Sequence, residues 1–451
     1  MQTTKSTEVI VIGAGYAGLA SALTLHDAGT SVLVLEANER VGGRIFSEPQ
    51  PDGTIVDHGG QWIGPTQYRL HAYADRFGVE RFKTYTGGAN LELWHDGTIR
   101  GFGLVGPEDG PGIEAYAEAT ARIDELARTV NLEQPALTPN AEALDSETAH
   151  SYFERTVADP DARLRLALAV QGVWTVEPRD LSMLHLLFYV AAAGDFEQLM
   201  EAENCAQDSR FFGGAQEPAN RIAAHLGDAV RLGTRVLEVH QEDDRVRVVT
   251  DQGEYTAQHV ISTLPPQAAS RVRFTPELPL AKRRFVAKSV MGDVAKIHVG
   301  YETPFWRAKG FSGEAVTYGA PMVGVIFDNS PDDAASGVLV CFVYADRLRE
   351  WQTLGAEARR EEVIATLVRM FGEEARAALW YTEKNWSNDE FAGGGYAATP
   401  APGTWIEHAA AGWRAPVGRL HWAGTETASV WNGYIDGAIR SGERAAAEIL
   451  G

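Results

Sequence analysis

The sequence predicts an α/β protein in which two domains interleave along the chain. Three observations predict it. Residues 8–44 read as strand, glycine-rich turn, helix, second strand. Short buried-strand patterns near positions 236, 260 and 421 repeat the character of those near 10 and 33. Between them lie a helical stretch and a second set of strands over 287–390. A chain of 451 residues is long enough for two or three domains with a large core.

In chain order, Val9–Ile12 is a short apolar run suited to a strand buried on both faces. Gly13, Gly15 and Gly18 follow as G-x-G-x-x-G, with Ala17 inside the motif. Gly13 permits the tight turn, Gly15 lets backbone approach a pyrophosphate, and Gly18 lets the helix lie close on the strand. The helix that starts near Gly15 points its N–H groups and positive dipole end at the phosphates. Ser31–Leu35 is the second strand. Glu36 ends it about 20 residues on, where a carboxylate accepts from ribose hydroxyls, and Ala37 follows. G-x-G-x-x-G alone is weak; strand, helix and Glu36 together make this a Rossmann-like dinucleotide site. Gly42-Gly43-Arg44, after the acid, tilts the choice from NAD to FAD.

Further along, Leu91–Arg100 reads as a hairpin turning at Asp96-Gly97. From about Gly112 to Gly194 the pattern is mainly helical. Strands return at Val230–Val239, Arg245–Thr256 is a hairpin around Asp251-Gln252-Gly253, and His259–Leu264 is a buried strand. Ala287–Tyr301, Ala315–Phe327 and Gly337–Tyr344 suggest a mixed sheet. A helix over Ala356–Phe371, a strand over Ala378–Trp386, a strand over Arg419–Ala423 and a last helix over about Gly433–Ile449 complete the chain. The expected division is a discontinuous FAD-binding domain (1–75, 213–286 and 396–451) and an α+β substrate-binding domain (76–212 and 287–395). Ligands in such folds sit at the carboxyl ends of the sheet strands and in the cleft between domains.

Bulk properties narrow the partners. Net charge is −21, from 40 basic and 61 acidic residues, which argues against nucleic acid or an anionic membrane surface. Cys205 and Cys341 are the only cysteines and offer neither a disulfide framework nor metal-ligand spacing, so no metal is expected. The polar N-terminus runs straight into the first strand, without the features of a signal peptide, and no apolar stretch reaches spanning length. The expectation is a soluble, cytoplasmic protein that acts on a small molecule.

Five segments, in this order and spacing, resemble the flavin-dependent amine oxidases, and among them the bacterial flavin monoamine oxidases. They are LEANERVGGR at 35–44, DHGGQWIGPTQ at 57–67, GDVAKIHVGYETPFWR at 292–307, NWSNDEFAGGGY at 385–396 and HWAGTETASVWNGYIDGAIRSGERAA at 421–446. The resemblance spans nearly the whole chain. It implies a monoamine oxidase-like fold, FAD as cofactor, an amine and dioxygen as substrates, and a homodimer as the usual assembly of relatives.

The resemblance also implies roles. Glu36 falls on the ribose acid and Arg44 on the arginine along the pyrophosphate. Gly60, Gln61 and Trp62 resemble the segment beside the flavin ring, where glycine lets backbone approach. Val236 falls on the adenine contact, Gly424, Thr425 and Glu426 on the turn beside ribityl and pyrophosphate, Ile435 on the pyrimidine contact, and Trp386 on a tryptophan near the flavin. Lys296 shares a strand face with Val294 and His298. Taken alone it reads as a lysine reaching out from an edge strand. The resemblance instead makes it the lysine that holds a water at the flavin and assists reoxidation, with burial lowering its pKa. Tyr396 and Tyr434 fall on an aromatic cage that aligns the amine. Phe342 and Gln207 fall on cavity-lining positions, and Met200 on a gate.

Two departures matter. Gly395 stands where the mitochondrial enzymes carry the cysteine that tethers FAD, so FAD is expected to bind noncovalently. Val325 stands where diamine-selective relatives place a glutamate, so a distal cation would lack a partner. The expected reaction is oxidation of an apolar or aromatic primary monoamine by hydride transfer from its α-carbon to flavin. The imine then hydrolyses to aldehyde and ammonia, and dioxygen becomes hydrogen peroxide. The alternatives are an L-amino-acid, cyclic-amine or polyamine oxidase of the same fold, or a redox-silent FAD-binding scaffold. An amino-acid oxidase needs a cavity arginine for the carboxylate, and the sequence offers no candidate for it.

Overall fold

A computed structural model describes residues 5–103, 109–319 and 321–451. The first four residues of the polar N-terminus, and Ala320 within the expected Ala315–Phe327 strand, lie outside the described residues.

The first sheet gathers eight strands from distant parts of the chain. At its centre Lys5–Ile12 pairs in parallel with Val32–Leu35 on one side and Gly253–Ser262 on the other. Val9, Ile10 and Val11 are each at most 1% exposed, as a strand covered on both faces demands. Gly253–Ser262 also pairs in parallel with Leu420–Trp422, and Val32–Leu35 with Val230–Arg231. Val246–Thr250 turns tightly into Gly253 and joins Val236–Gln241 in antiparallel pairing, and Arg273–Thr275 closes that edge. The strand expected at Val230–Val239 is therefore two, Val230–Arg231 at one edge of the sheet and Val236–Gln241 next to the other edge.

The first helix, Tyr16–Asp27, is buried along most of its length because the last helix, Ile435–Leu450, packs on it. Their closest approach is at Gly442, where a Cβ would stand 2.2 Å from the Ala17 carbonyl oxygen. Ser21 Oγ donates to the Gly442 carbonyl there.

The second sheet runs, by neighbour, Trp380–Asn385, Val294–Tyr301, Gly337–Tyr344, Val325–Asp328, Phe311–Thr317, Ala89–Leu93 and Ile99–Phe102. Its one parallel pair joins Phe311–Thr317 to Ala89–Leu93, so it is mixed, as expected. The expected Ala287–Tyr301 strand is interrupted: Leu280–Ala287 is helical and Ser289–Met291 pairs elsewhere, with Ala398–Pro400. Ala315–Phe327 likewise resolves into two antiparallel strands. The helical middle comprises Ile113–Ala127, Ala141–Ser146, Ala149–Thr156, Pro160–Trp174 and Met183–Ala193, with its own buried core around Leu166, Leu186 and Trp174.

Candidate active site

A continuous cavity of about 750 Å³ is lined at one end by the glycine turn and at the other by the second sheet and the helical middle. Its nucleotide end is mostly backbone. Gly13, Gly15, Ala17, Glu36, Ala37, Gly43 and Arg44 line it. Gly15 caps the first helix, no side chain caps it, and no acid sits in its first turn, so its leading N–H groups are free for an anion. A Cβ on Gly15 would meet nothing nearer than 4.0 Å, which leaves room for a ligand against the backbone. Gly18 lies outside the lining; its Cβ would stand 1.9 Å from the Gly13 carbonyl oxygen, so it serves the helix–strand contact.

Glu36 is fixed from both sides. One carboxylate oxygen accepts the Ala14 N–H (2.7 Å), and the other accepts the Asn38 N–H and side-chain amide (2.8 Å each). Arg44 forks onto Glu426 (2.6 and 3.1 Å) and donates to the Tyr396 carbonyl (2.8 Å). Glu426 itself lies behind the lining, where it steadies Arg44, while Gly424 and Thr425 reach the cavity. Val236 lines this end at the start of its strand. The sequence reading missed Thr263, Leu264 and Pro265, which follow the Gly253–Ser262 strand; the rule that ligands gather at strand carboxyl ends would have found them.

In the middle, Gly60, Gln61, Trp62, Trp386 and Ile435 line the cavity. Trp386 Nε1 donates to the His58 carbonyl (2.7 Å), and Thr425 Oγ1 to the Tyr434 carbonyl (2.8 Å). Lys296 is 2% exposed and sits on a strand hydrogen-bonded along both sides, so it is an interior lysine and not an edge one. Its Nζ donates to the Gly59 carbonyl (2.8 Å) and to Gln61 Oε1. Gln61 in turn donates to Asn329 Oδ1 (2.8 Å), which also accepts from Arg210 (2.9 Å). Burial pushes the Lys296 ammonium down to about 7, against the opposing pull of Asp57. His298, on the same face, is fully buried and held neutral, away from the cavity lining.

Tyr396, Tyr434, Phe342, Met200 and Gln207 all line the far part. Tyr396 meets Phe342 edge-on (6.5 Å between ring centres), while Tyr434 packs on Trp431 (4.9 Å) and Tyr189 (6.0 Å). Burial raises both phenols, so both stay uncharged. Gln207 Nε2 donates to the Leu199 carbonyl (3.1 Å), which leaves its buried Oε1 without a partner. Val325 lines the cavity too.

Five charged residues that line this end escaped the sequence reading: Glu92, Arg165, Glu197, Glu201 and Glu314. Arg165 lines the cavity, but it forks onto Glu92 (3.0 and 3.2 Å) and donates to the Pro111 carbonyl and the Tyr318 hydroxyl. Glu201 and Glu314 line the same end. Val325 puts no carboxylate at its own position, as expected, but Glu201 and Glu314 bring carboxyls to the same end from elsewhere. Glu314 comes from the next strand, which no spacing in the sequence signals.

Cys205 and Cys341 are buried free thiols, and neither lines the cavity. Among the described residues one trio of side chains is close enough to share a metal ion: His26, Asp27 and His225. It is exposed, and Arg76 forks onto Asp27 (2.6 and 2.9 Å). No helix among the described residues is long and apolar enough to cross a membrane. The glycine cradle, the uncapped helix start and Glu36 fit a flavin dinucleotide laid from the turn toward Lys296.

Comparisons with known proteins agree with this geometry. The family model for flavin containing amine oxidoreductase matches residues 16–450. The Mycobacterium tuberculosis protein AofH is 37% identical over 98% of this chain and 96% of its own length. Among solved structures, putrescine oxidase with bound putrescine superposes with a TM-score of 0.95 at 32% identity, over 99% of each chain. Cyclohexylamine oxidase from Brevibacterium oxydans does so at 0.94 and 31%, over 98% of each.

Proposed function

This chain belongs to the flavin-containing amine oxidoreductases, as an amine oxidase with FAD as its cofactor, and we propose that it oxidises a primary amine held between Tyr396 and Tyr434. One observation carries the reading: the cavity that starts at the glycine turn reaches those two rings past a buried lysine. When bound, FAD would supply the two-electron chemistry: hydride from the amine α-carbon, together with the proton the amine nitrogen releases, would pass on to dioxygen as hydrogen peroxide.

The protein supplies position and electrostatics. Gly13, Gly15, Ala17, Glu36, Ala37, Gly43, Arg44 and Val236 hold the adenosine and pyrophosphate. Gly60, Gln61, Trp62, Trp386, Gly424, Thr425 and Ile435 hold the flavin half, with Gly18 and Glu426 as supports. Tyr396 and Tyr434 align the amine, and their apolar surroundings favour its uncharged form. Lys296, with Gln61 and the Gly59 carbonyl already fixing its Nζ, holds a water beside the flavin and gives or takes a proton near neutral pH. The imine product hydrolyses to aldehyde and ammonia.

FAD binds noncovalently on this reading, since no thiol among the described residues lines the cavity and Gly395 has no side chain to offer. The two sheets support the two-domain division: every strand of the first falls within 1–75, 213–286 or 396–451, and every strand of the second within 76–212 or 287–395. A cytoplasmic setting is consistent with two buried, unpaired thiols. The amino-acid alternative is disfavoured because Arg165 spends its fork on Glu92, so it has no free face for a carboxylate.

The test is anaerobic addition of an amine to the purified yellow protein. Bleaching of the flavin absorbance, and peroxide on admitting air, are expected. A protein that purifies without a flavin spectrum would sink the reading.

A further inference from the structure

The second sheet lays out a row of side chains across its strands. Lys296 is paired in register with Phe342, Phe342 with Val325, and Val325 with Val316. Residues paired this way share a face, and all four line the cavity. Three strand spacings of ~4.8 Å make this row about 14 Å long. Glu314 lies two residues from Val316 on the same strand, hence on the same face. The sheet thus sets a lysine at one end of an apolar row and a carboxylate at the other.

At the carboxylate end, Glu201 joins Glu314, coming from the residue after the Phe196–Met200 helix. Among the described residues, no side-chain or backbone donor reaches either carboxylate, although the backbone N–H of each is engaged, with Ser312 Oγ and the Glu197 carbonyl. Glu92, next in the row after Val316, shows the contrast. It is 1% exposed and fully answered by the Arg165 fork. Among the described residues, the single cation lining the cavity at this end is therefore spent, and two carboxyls face the lumen unanswered. An unpaired carboxylate in such a place is costly unless something brought in from outside pairs with it.

We propose that Glu314 and Glu201 form a receptor for a second cationic group, so that the preferred amine carries its reacting nitrogen and a distal ammonium or guanidinium at the two ends of an apolar segment. This rests on the amine-oxidase reading above and narrows it: the apolar row accepts the middle of the substrate and the carboxyl pair its far end. Burial, with each acid beside another, raises Glu314 to about 8 and Glu201 to about 7. An empty receptor is then largely protonated at neutral pH, and the arriving cation favours its ionised form. The other ionisable groups around it are Glu197 on the Phe196–Met200 helix, Tyr116 on Ile113–Ala127, Tyr318 beyond the Glu314 strand, and the Glu92–Arg165 pair.

The experiment compares octylamine with the octane α,ω-diamine on the holoenzyme, by anaerobic flavin reduction and by peroxide formation. The diamine is expected to have a kcat/KM about tenfold higher, equivalent to ~1.4 kcal/mol. Glu314→Gln is expected to erase that ratio, and Glu201→Gln to reduce it, with the bound flavin spectrum reporting that each variant is folded. The ratio should climb from about pH 6.5 to 8.5 in the parent enzyme, as the carboxyls ionise, and stay level in Glu314→Gln. Octylamine turned over as well as the diamine, with a ratio that neither variant moves, overturns the receptor while leaving the amine site intact. Failure of both amines to reduce the flavin overturns the amine site itself, and the receptor with it.

Discussion

The two ends of the cavity are made of different material. The nucleotide end is backbone: glycines without side chains, the free N–H groups of a helix start, and a carboxylate whose position two backbone amides fix. The amine end is side chains brought together from the second sheet, the helical middle and the start of the last helix. Backbone geometry is dictated locally, so a short stretch of chain can encode it. Side-chain convergence needs the whole fold. The difference also sets what mutation does: at the first end a substitution intrudes on packing or on the ligand's seat, and at the second it alters chemistry while the scaffold stands.

The largest effect is expected at Gly18. Gly18→Val puts a Cβ where only 1.9 Å separates it from the Gly13 carbonyl oxygen. Overpacking of this kind costs about 3 kcal/mol or more, and the product should purify without flavin and melt early. Gly15→Ala, with 4.0 Å of clearance, should fold yet bind FAD more weakly; equal FAD affinity in that variant would break the contrast between the two glycines.

Next comes Lys296. Lys296→Met should keep its flavin but slow reoxidation by dioxygen about 10²-fold, the ordinary scale for losing a proton-handling group, as read by stopped-flow mixing of reduced enzyme with oxygen. Loss of FAD instead would place Lys296 in the scaffold and blur the division.

Tyr434→Leu and Tyr396→Leu should each lower kcat/KM for the amine about tenfold, in keeping with the loss of one aromatic face. FAD affinity should move little, because neither hydroxyl is used to hold the turn. Titrating FAD into the apoprotein of each variant checks this.

The last expected effect is on stability against pH. Lys296 falls from 10.5 to about 7 on folding because burial disfavours its charge. Between those values the unfolded chain binds a proton that the native protein does not, so stability rises with pH across about 7 to 10 and declines as pH falls through that window. Lys296→Met removes this contribution. Its melting temperature should gain on the parent's as pH drops toward 7, and a constant difference at every pH would show that the lysine is not desolvated.

Legibility followed the same divide. The strand, turn and helix at 8–44, the hairpin at Leu91–Arg100 and the helix at Ala356–Phe371 all form where their local patterns point, because periodicity and turn chemistry act over a few residues. The long runs at 287–301 and 315–327 misled, since apolar character continues through a break that strand pairing imposes. Lys296 and Tyr396 could be singled out only through their resemblance to a family, because a lysine on a strand and a tyrosine after glycines are ordinary by themselves. Arg165, Glu201 and Glu314 carried no such mark. Arg165 is answered by an acid 73 positions away, and Glu314 meets the cavity through strand register alone.

The sequence by itself determined the nucleotide turn, the acid that follows it and the alternation that makes an α/β protein, because each of these depends on neighbours close in the chain. Only the tertiary structure decided that Lys296 lies inside a sheet and not on its edge, that Arg44 and Arg165 are already paired, and that two unanswered carboxyls face the cavity. Burial and charge pairing depend on what packs alongside, and those partners arrive from distant parts of the chain, 73 residues away for Arg165 and 382 for Arg44.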